Sequence, residues 1–328
     1  MNIIQTAITG TGFYVPNRIL TNHELEHMVE TTDEWIVERS GIHERRILDK
    51  EKRNTDMAVA AGKMALTSAG VNAEELDLII VATITPDYFT PSVACMVQNE
   101  MGASKAAAFD VNAACSGFVY AMATANAYIK SGMYKNALVI GSEALSKVID
   151  WNHRSTCVLF GDGAGAVVIE ASEASGIVAF DLGASGDLGN AITIPGTYFS
   201  EDDIRDRNNE LSHVIRMDGR EVFKFATRTM ASSVEKLLEE NGVAKEEVDI
   251  IVPHQANIRI LQTASKKLGI DMDRIYSIIH KYGNTSSASI PIALHSAVSE
   301  GRINSGDTVV MTGFGGGLTW ASALVRWI

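Results

Sequence analysis

The 328-residue chain is poor in cysteine: it contains Cys95, Cys115 and Cys157, and no two of them are spaced as CxxC. An odd number without that spacing argues against a disulfide framework and against a zinc site built from thiolates. Reduced, scattered cysteines are typical of a reducing compartment. We therefore expect a cytoplasmic protein that has no disulfide framework and binds no metal.

The chain also has little positive charge. Its 28 Lys and Arg residues stand against 40 Asp and Glu residues, which leaves a net charge of −12. This balance excludes a general nucleic-acid-binding protein, and any acidic partner needs a local basic patch. Hydrophobic residues make up 46% of the chain and charged residues 21%, which is enough for a large core.

A recognisable targeting segment or membrane span is also missing. The first residues, MNIIQTAITGTGFYVP, have no basic region followed by an apolar run, so no signal peptide is predicted. The uncharged stretch 111–129 has the length of a membrane span, but it contains Asn112, Ser116 and Asn126. A helix buried in the protein core is the better interpretation, and no membrane partner is expected.

Two segments of the chain resemble each other at one constant offset. They are AGVNAEELDLIIVAT (69–83) and NGVAKEEVDIIVPHQ (241–255), in which Gly242 repeats Gly70 and Asp249 repeats Asp77. Each follows an amphipathic helix pattern, over 55–70 and 224–242, and each enters a short β-branched run. The period is too long for a solenoid, so the repeat predicts a duplicated α/β half.

The halves predicted from this repeat are 1–172 and 173–328. Further short apolar runs indicate strands that are covered on both faces, at 137–140, 166–169 and 309–311. The acidic segment 197–213 has no clear periodicity and predicts a long surface loop within the second half.

Cys115 lies where a predicted strand, AAFDV at 107–111, gives way to the uncharged helix pattern SGFVYAMATANAYIK. Small residues around Cys115 allow other backbone to approach it closely. At a helix N-terminus, the dipole and the free N–H groups favour a thiolate and can hold an oxyanion. From this segment alone, Cys115 is either a nucleophile or a small buried core thiol.

A cysteine nucleophile needs a histidine base or another electrostatic partner. Among the eight histidines, His254 stands out because it ends the apolar strand pattern DIIVPH, at an edge where α/β proteins form their sites. It is either a site residue or a hydrogen-bonded core histidine. Asn284 follows Gly283, which we expect to break a preceding strand, and it opens a helix as an N-cap or as a functional amide.

Three other patterns do not establish a functional site by themselves. HELEH at 23–27 matches the zinc-protease pattern HExxH, but TN before it caps the helix and places His23 in the exposed first turn. GTG at 10–12 and GDGAG at 161–165 lack the arrangement of a dinucleotide-binding loop. GFGGGLTW at 313–320 predicts a glycine-rich turn that either approaches a ligand or forms a flexible hairpin.

Six stretches together resemble β-ketoacyl-acyl carrier protein synthase III, the condensing enzyme that initiates type II fatty acid synthesis. In family order they are TTDEWIVERSGI, NAACSGF, FGDGAGAV, VPHQANIRI, KYGNTSSASIP and GFGGGLTW, and the resemblance spans essentially the whole chain. It implies an α/β thiolase-like fold, a duplication in five αβαβα layers, which agrees with the repeat above. It also implies a homodimer that condenses an acyl-CoA primer with malonyl-acyl carrier protein, with loss of CO₂ and without a metal or redox cofactor.

The resemblance also assigns roles to the candidate residues. Cys115 matches the nucleophile that takes the acyl group as a thioester. His254 and Asn284 match the pair that binds the malonyl thioester carbonyl and promotes decarboxylation. The backbone N–H groups of Cys115 and Gly316 match an oxyanion hole, and Phe314 matches a phenylalanine near the malonyl carboxylate. An asparagine in place of a second histidine separates the chain from the elongating synthases.

Further positions are matched to substrate binding by the same resemblance. Those that match the coenzyme A nucleotide site are Trp35, Arg39 and Arg154. Those that match the basic side that docks the acidic carrier protein are Lys224, Arg259, Lys266 and Lys267.

The chain departs from the family pattern at two positions. Ser40 stands where threonine is frequent and keeps the hydroxyl. Thr90 stands where some members have a phenylalanine that lines the acyl pocket from across the dimer interface. We expect the smaller residue to admit longer or branched primers.

Three alternatives remain at this stage. A priming ketosynthase of a polyketide or other specialised pathway would have the same fold with different substrates. A papain-like protease has Cys, His and Asn in the same order, but its CGSCW-type signature is missing and duplicated halves do not suit its fold. A non-catalytic partner of a condensing enzyme is disfavoured because such relatives usually lose the cysteine.

Overall fold

The structure is a computed structural model that describes residues 4–174, 176–197 and 213–328. The surface loop predicted over 197–213 lies, apart from its two end residues, outside the described residues. In chain order, the strands are β1 (Gln5–Tyr14), β2 (Arg18–Thr21), β3 (Glu44–Ile47), β4 (Leu78–Ala82), β5 (Ala107–Val111), β6 (Asn136–Ala144), β7 (Asp162–Ser172), β8 (Ile177–Ala184), β9 (Ile192–Thr193), β10 (Arg216–Met217), β11 (Ile250–Pro253), β12 (Thr308–Gly315) and β13 (Thr319–Arg326).

The α-helices are, in chain order, α1 (Asn22–Leu25), α2 (Asp33–Ser40), α3 (Asn54–Ala69), α4 (Val93–Met101), α5 (Gly117–Lys130), α6 (Arg154–Cys157), α7 (Gly219–Glu240), α8 (Ile258–Leu268), α9 (Ile279–Tyr282) and α10 (Ser289–Ser299). Of those in the described parts of the chain, none combines the length and the hydropathy needed to cross a bilayer.

Two large sheets dominate the fold. The first has the strand order β1-β7-β6-β4-β5, in which β4 pairs in parallel with both β5 and β6. The second has the order β11-β12-β13-β8, in which β11 pairs in parallel with β12 and the remaining pairs are antiparallel. Two small antiparallel pairs, β2 with β3 and β9 with β10, lie outside these sheets.

Helices and sheets alternate in five layers. Helix α5, which is uncharged up to Ile129, and helix α10 form one core with strands of both sheets, so they lie between the sheets. Helices α3 and α4 pack on the outer face of the first sheet, and α7 and α8 pack on the outer face of the second. This is the predicted αβαβα arrangement, and α5 is the buried core helix that its lack of charge predicts.

The two halves keep the register of the sequence repeat. The first residues of β8, β11 and β12 follow those of β1, β4 and β6, respectively, at the offset that separates Gly70 from Gly242. The sheet orders match in the same way, because β11-β12-β13-β8 follows the order β4-β6-β7-β1. The domain boundary predicted after Ser172 lies between β7 and β8 and remains a prediction.

The predicted long helices and buried strands are present, with boundaries set by their caps. Helix α3 ends at Ala69 because Gly70 adopts a left-handed conformation with φ of 68°. Helix α7 begins at Gly219, ahead of its predicted start, because the Asp218 side chain accepts the N–H groups of Arg220 and Glu221. The strand predicted before Gly283 was wrong, because these residues form the short helix α9. Periodicity does not distinguish a strand from a helical turn in so short an apolar run.

Candidate active site

Cys115 lies in a sharp turn between β5 and α5. Residues Ala114–Ser116 form a 3₁₀ turn, and Ala114 has a φ of 46°, which is rare for a residue with a Cβ. The end of β12 packs directly on this turn: a Cβ at Gly315 would overlap the backbone nitrogen of Cys115. Only glycine fits there, so the sequence GFGGG supplies the close backbone approach that the turn requires.

Cys115 is 8% exposed and lines a cavity of about 330 Å³. Burial raises its pKa to about 12, although the Ser286 hydroxyl and the cysteine's own backbone N–H lower it. The resting group is therefore a neutral thiol. The helix N-terminus predicts a thiolate from the sequence, but the cost of desolvating the charge outweighs the helix dipole in this apolar cavity.

His254 follows directly after β11 and is almost fully buried. Its Nδ1 lies 2.7 Å from Ser289 Oγ, and this oxygen also accepts the N–H of Gln255 at 3.3 Å. In the tautomer in which Ser289 donates its hydroxyl hydrogen to Nδ1, the imidazole carries its hydrogen on Nε2. Burial lowers the pKa of His254 to about 3, so the imidazole is neutral.

Asn284 lies on the loop that leads to α10. Its backbone is held on both sides, since its N–H donates to the Leu159 carbonyl at 2.9 Å and its carbonyl accepts the Gly161 N–H at 3.0 Å. Its side-chain Oδ1 accepts the N–H of Ser286 at 2.9 Å. With Oδ1 engaged, Nδ2 is the part of the amide that is left to donate to a substrate.

The structure brings the five residues predicted for catalysis, the oxyanion hole and the malonyl pocket to one cavity. They are Cys115, His254, Asn284, Phe314 and Gly316. The Phe314 ring stands edge-on to the imidazole of His254, with 5.3 Å between the ring centroids. The cavity thus joins a thiol, a neutral imidazole and a carboxamide within walls that are otherwise largely apolar.

The predicted nucleotide-binding residues lie at one side of the same cavity. Trp35 and Arg39 line it, and Arg154 belongs to the short helix next to them. The guanidinium carbons of Arg39 and Arg154 each lie 4.8 Å from the centroid of the Trp35 indole. An aromatic face beside two exposed cations suits a base with phosphates attached.

The predicted docking residues are all exposed. Arg259 lines the cavity, whereas Lys266 and Lys267 lie in the last turn of α8. Lys224 lies in α7 and forms an exposed ion pair with Glu221 at 2.7 Å. Because such pairs are weak, Glu221 leaves Lys224 available to an acidic partner.

The structure does not bring Thr90 to the cavity of its own chain. It is exposed, and the side chain before it, Phe89, is 80% exposed. His23 of the HELEH pattern is an exposed residue in the first turn of α1, where Thr21 forms the predicted cap.

Sequence reasoning missed three buried polar residues: Ser286, which lines the cavity, Ser289, which contacts His254, and Glu143. The first two belong to the polar run NTSSAS, which was interpreted only through Asn284. Glu143 is an acidic residue among the buried residues of β6, and that pattern alone marks it as unusual.

Comparisons with known proteins match the chain to a single enzyme family. Models of 3-oxoacyl-[acyl-carrier-protein (ACP)] synthase III and of its C-terminal part match residues 109–186 and 238–327. A β-ketoacyl-[acyl-carrier-protein] synthase III from Desulfitobacterium hafniense (strain Y51) is 49% identical over 326 residues, which cover 99% of this chain and 98% of that protein.

Solved structures give the same result. That of 3-oxoacyl-[acyl-carrier-protein] synthase III from Aquifex aeolicus VF5 is 49% identical, with a TM-score of 0.92, and the match covers 98% of this chain and 100% of that chain. The priming β-ketosynthase from the R1128 polyketide biosynthetic pathway is 35% identical, with a TM-score of 0.92 and coverage of 98% and 96%.

Proposed function

The chain belongs to the 3-oxoacyl-[acyl-carrier-protein] synthase III family, and we propose that it condenses an acyl-CoA primer with malonyl-acyl carrier protein to initiate fatty acid biosynthesis. The family predicted from the sequence motifs is thereby confirmed, as is the acyltransferase class of the enzyme. The observation that carries the residue assignments is the meeting of Cys115, His254 and Asn284 in one apolar cavity.

In the first half reaction, Cys115 Sγ attacks the carbonyl carbon of the acyl-CoA. The carbon–sulfur bond to coenzyme A breaks, and the proton of the thiol goes to the departing sulfur, so no net proton is consumed. The backbone N–H groups of Cys115 and Gly316 stabilise the oxyanion that forms on the way. The close approach of the Gly315 backbone to the Cys115 nitrogen supports this role, because it holds the two segments that carry these N–H groups against each other.

In the second half reaction, the malonyl thioester carbonyl lies between His254 Nε2–H and Asn284 Nδ2–H. The bond to the carboxylate breaks, CO₂ leaves, and the electron pair forms an enolate that the two donors stabilise. The enolate carbon then attacks the acyl thioester on Cys115, and Sγ leaves and takes up one proton. A neutral histidine with its hydrogen on Nε2 suits this role, because it donates without titrating near neutral pH.

Phe314 promotes the loss of CO₂ by offering the malonyl carboxylate an apolar surface. It is buried beside the His254 ring, on the side of the cavity where the thioester carbonyl binds. A carboxylate that loses water there without gaining a cation is destabilised, whereas neutral CO₂ is not.

The substrates approach from the side of Trp35 and α8. The Trp35 indole binds the adenine, and the two neighbouring guanidinium groups bind phosphate. The exposed cations Lys224, Arg259, Lys266 and Lys267 give this strongly acidic chain the local positive patch that the acidic carrier protein needs.

The enzyme acts as a homodimer in which Thr90 lines the acyl pocket of the partner protomer. The support for this is the exposure of Tyr88 and Phe89, two neighbouring aromatic side chains that are 56% and 80% exposed. Adjacent aromatic residues exposed to this extent are typical of an interaction surface.

The first experiment records intact-protein mass spectra after mixing with acetyl-, butyryl-, isobutyryl- and octanoyl-CoA. We expect the wild-type protein to gain the mass of an acyl group and Cys115→Ala to gain none. Labelling of Cys115→Ala would refute the assignment of the nucleophile.

The similarity to a polyketide priming enzyme makes a specialised pathway the second candidate. Transfer to a polyketide carrier protein, but not to that of fatty acid synthesis, would favour it.

A further inference from the structure

The turn that carries Cys115 has a counterpart in the second half of the chain. The 3₁₀ turn Ser286–Ala288 and helix α10 follow the turn Ala114–Ser116 and helix α5 at the same offset as the other repeated elements. Even the strained backbone is repeated, since φ is 46° at Ala114 and 48° at Ser286. Ser287 therefore occupies the position in the second half that Cys115 occupies in the first.

Within this second turn, Ser287 faces a carboxyl group instead of the cavity. Ser287 is fully buried, and its Oγ lies 2.7 Å from Oε1 of Glu143, which is also fully buried at the end of β6. The other carboxyl oxygen, Oε2, accepts the hydroxyls of Thr85 at 2.7 Å and Thr83 at 3.3 Å. The N–H of Ile84 lies 3.1 Å from Oε2 and 3.3 Å from Oε1. Among the described residues, no Lys, Arg or His takes part in this network.

The hydrogens of the network can be counted. Ser287 has one hydroxyl hydrogen, and its Oγ lies 2.8 Å from the Ala82 carbonyl as well as 2.7 Å from Glu143 Oε1. The carbonyl only accepts, and an ionised carboxylate only accepts, so one hydrogen would have to serve two acceptors. A proton on Oε1 removes the conflict, because Glu143 then donates to Ser287 and Ser287 donates to Ala82.

On the opposite side of the carboxyl group, no second proton is needed. The Thr85 hydroxyl accepts the N–H of Ala144 at 2.9 Å, so its hydrogen is available to Oε2. Burial without a cation also raises the pKa of Glu143, which favours the protonated form. A negative charge at Glu143 would in addition raise the pKa of Cys115.

We infer that Glu143 is a protonated carboxylic acid whose bond to Ser287 positions the Asn284 amide for decarboxylation. The connection is short. Ser287 fixes the turn, the preceding Ser286 donates its N–H to Asn284 Oδ1 at 2.9 Å, and this bond orients Nδ2 towards the substrate. Glu143 is thus a positioning residue for the second half reaction. The inference rests on the proposed function for the role of Asn284, but the hydrogen count does not.

The protonation state is tested by infrared difference spectroscopy of wild type against Glu143→Gln at neutral pH. We expect the wild type to show the carbonyl stretch of a protonated carboxyl group and the variant to lack it. Glu300→Gln, whose exchanged group bonds to the Tyr276 hydroxyl elsewhere in the fold, is the matched control and should keep the band. A wild-type spectrum in which Glu143 contributes only a carboxylate band would overturn the inference.

The positioning role is tested by measuring the two half reactions separately. We expect Glu143→Ala and Ser287→Ala to slow CO₂ release from malonyl-acyl carrier protein roughly 10²-fold, the cost of a reacting group displaced by about 1 Å. Acylation of Cys115 by acyl-CoA should stay within about threefold of wild type, since it does not use Asn284. Glu143→Gln should restore CO₂ release, because its amide donates to Ser287 Oγ and its carbonyl accepts from Thr85.

Two results would count against the positioning role. Equal loss in both half reactions would indicate a purely structural residue, and a Gln variant as slow as the Ala variant would show that the carboxyl group itself is required. If Glu143→Ala fails to fold, Ser287→Ala decides the question. A wild-type protein that forms no acyl-enzyme would refute the proposed function instead, and it would leave the infrared result standing.

Discussion

The contact between Gly315 and the Cys115 turn gives the sharpest prediction for a single methyl group. In Gly315→Ala, the new Cβ would overlap the backbone nitrogen of Cys115 and lie 3.1 Å from the Ala114 Cβ. Backbone atoms are on both sides of this contact, so no flexible side chain can absorb it. The turn and the end of β12 must separate by about 1 Å to restore ordinary van der Waals contact.

The magnitude follows from what this separation moves. A displacement of about 1 Å between a reacting group and its oxyanion donors costs roughly 10²-fold in rate. Overpacking of this kind also costs about 1–3 kcal/mol of folding free energy. We therefore expect Gly315→Ala to fold, to unfold at lower urea concentration, and to acylate Cys115 roughly 10²-fold more slowly than the wild type.

The assay is single-turnover acylation by acyl-CoA, quenched with acid and followed by intact mass. Two glycine-to-alanine controls separate rate from stability. At Gly189, the nearest atom to a new Cβ is 3.8 Å away, so this variant should resemble wild type. At Gly165, a new Cβ would lie 2.6 Å from the backbone of Ile292, so this variant should lose stability without losing acylation. A folded Gly315→Ala that acylates within about threefold of wild type would refute the reasoning.

Four further predictions concern other groups of the protein. Trp35→Ala should raise KM for acyl-CoA by roughly 10- to 100-fold, the value of one stacked base, and should leave acylation by an acyl-pantetheine unchanged; an equal effect on both thioesters would exclude adenine stacking. Because burial lowers the pKa of His254 to about 3, the pH profile of the CO₂ release rate should show no inflection near pH 6.5. An inflection at that pH in the wild type that is missing in His254→Gln would show that His254 is not a neutral donor. His254 becomes protonated near pH 6.5 in the unfolded chain but only near pH 3 in the folded chain. The free energy of unfolding should therefore fall as the pH drops from 6.5 to 3, and it should fall less in His254→Gln. Thr90→Phe should lower the acylation rate with octanoyl-CoA by a larger factor than the rate with acetyl-CoA, when the two thioesters compete. An equal factor for both would show that the residue at position 90 does not limit primer size.

Much of the fold follows from the sequence because its signals are local. The uncharged helix α5, the glycine after α3 and the β-branched runs of β4 and β11 each predict their own structure. The start of α7 was misplaced because a single capping side chain, that of Asp218, decides it. Helix α9 was missed because so short a run of residues carries no usable period.

Only part of the candidate site could likewise be predicted from local sequence signals. Cys115, His254 and Asn284 stand at the ends of recognisable elements, so motif and position together predict them. The bond from Ser289 to His254 joins residues 35 positions apart, and that from Ser287 to Glu143 spans 144 positions. The first pair is known only once the second half is folded, and the second pair only once the two halves are packed together. The same packing replaces the expected thiolate with a neutral thiol, since burial is a property of the whole fold.

The repeat that relates the two halves has a consequence for how such a chain can change over time. In a symmetric pair of identical halves, every substitution at one turn would also occur at the other. Joining the halves into a single chain removes that constraint, because each copy then has its own codons. One copy carries Cys115 at the cavity, and the other carries Ser287 beside Glu143. The duplicated scaffold is therefore nearly symmetric in its backbone and asymmetric in its chemistry.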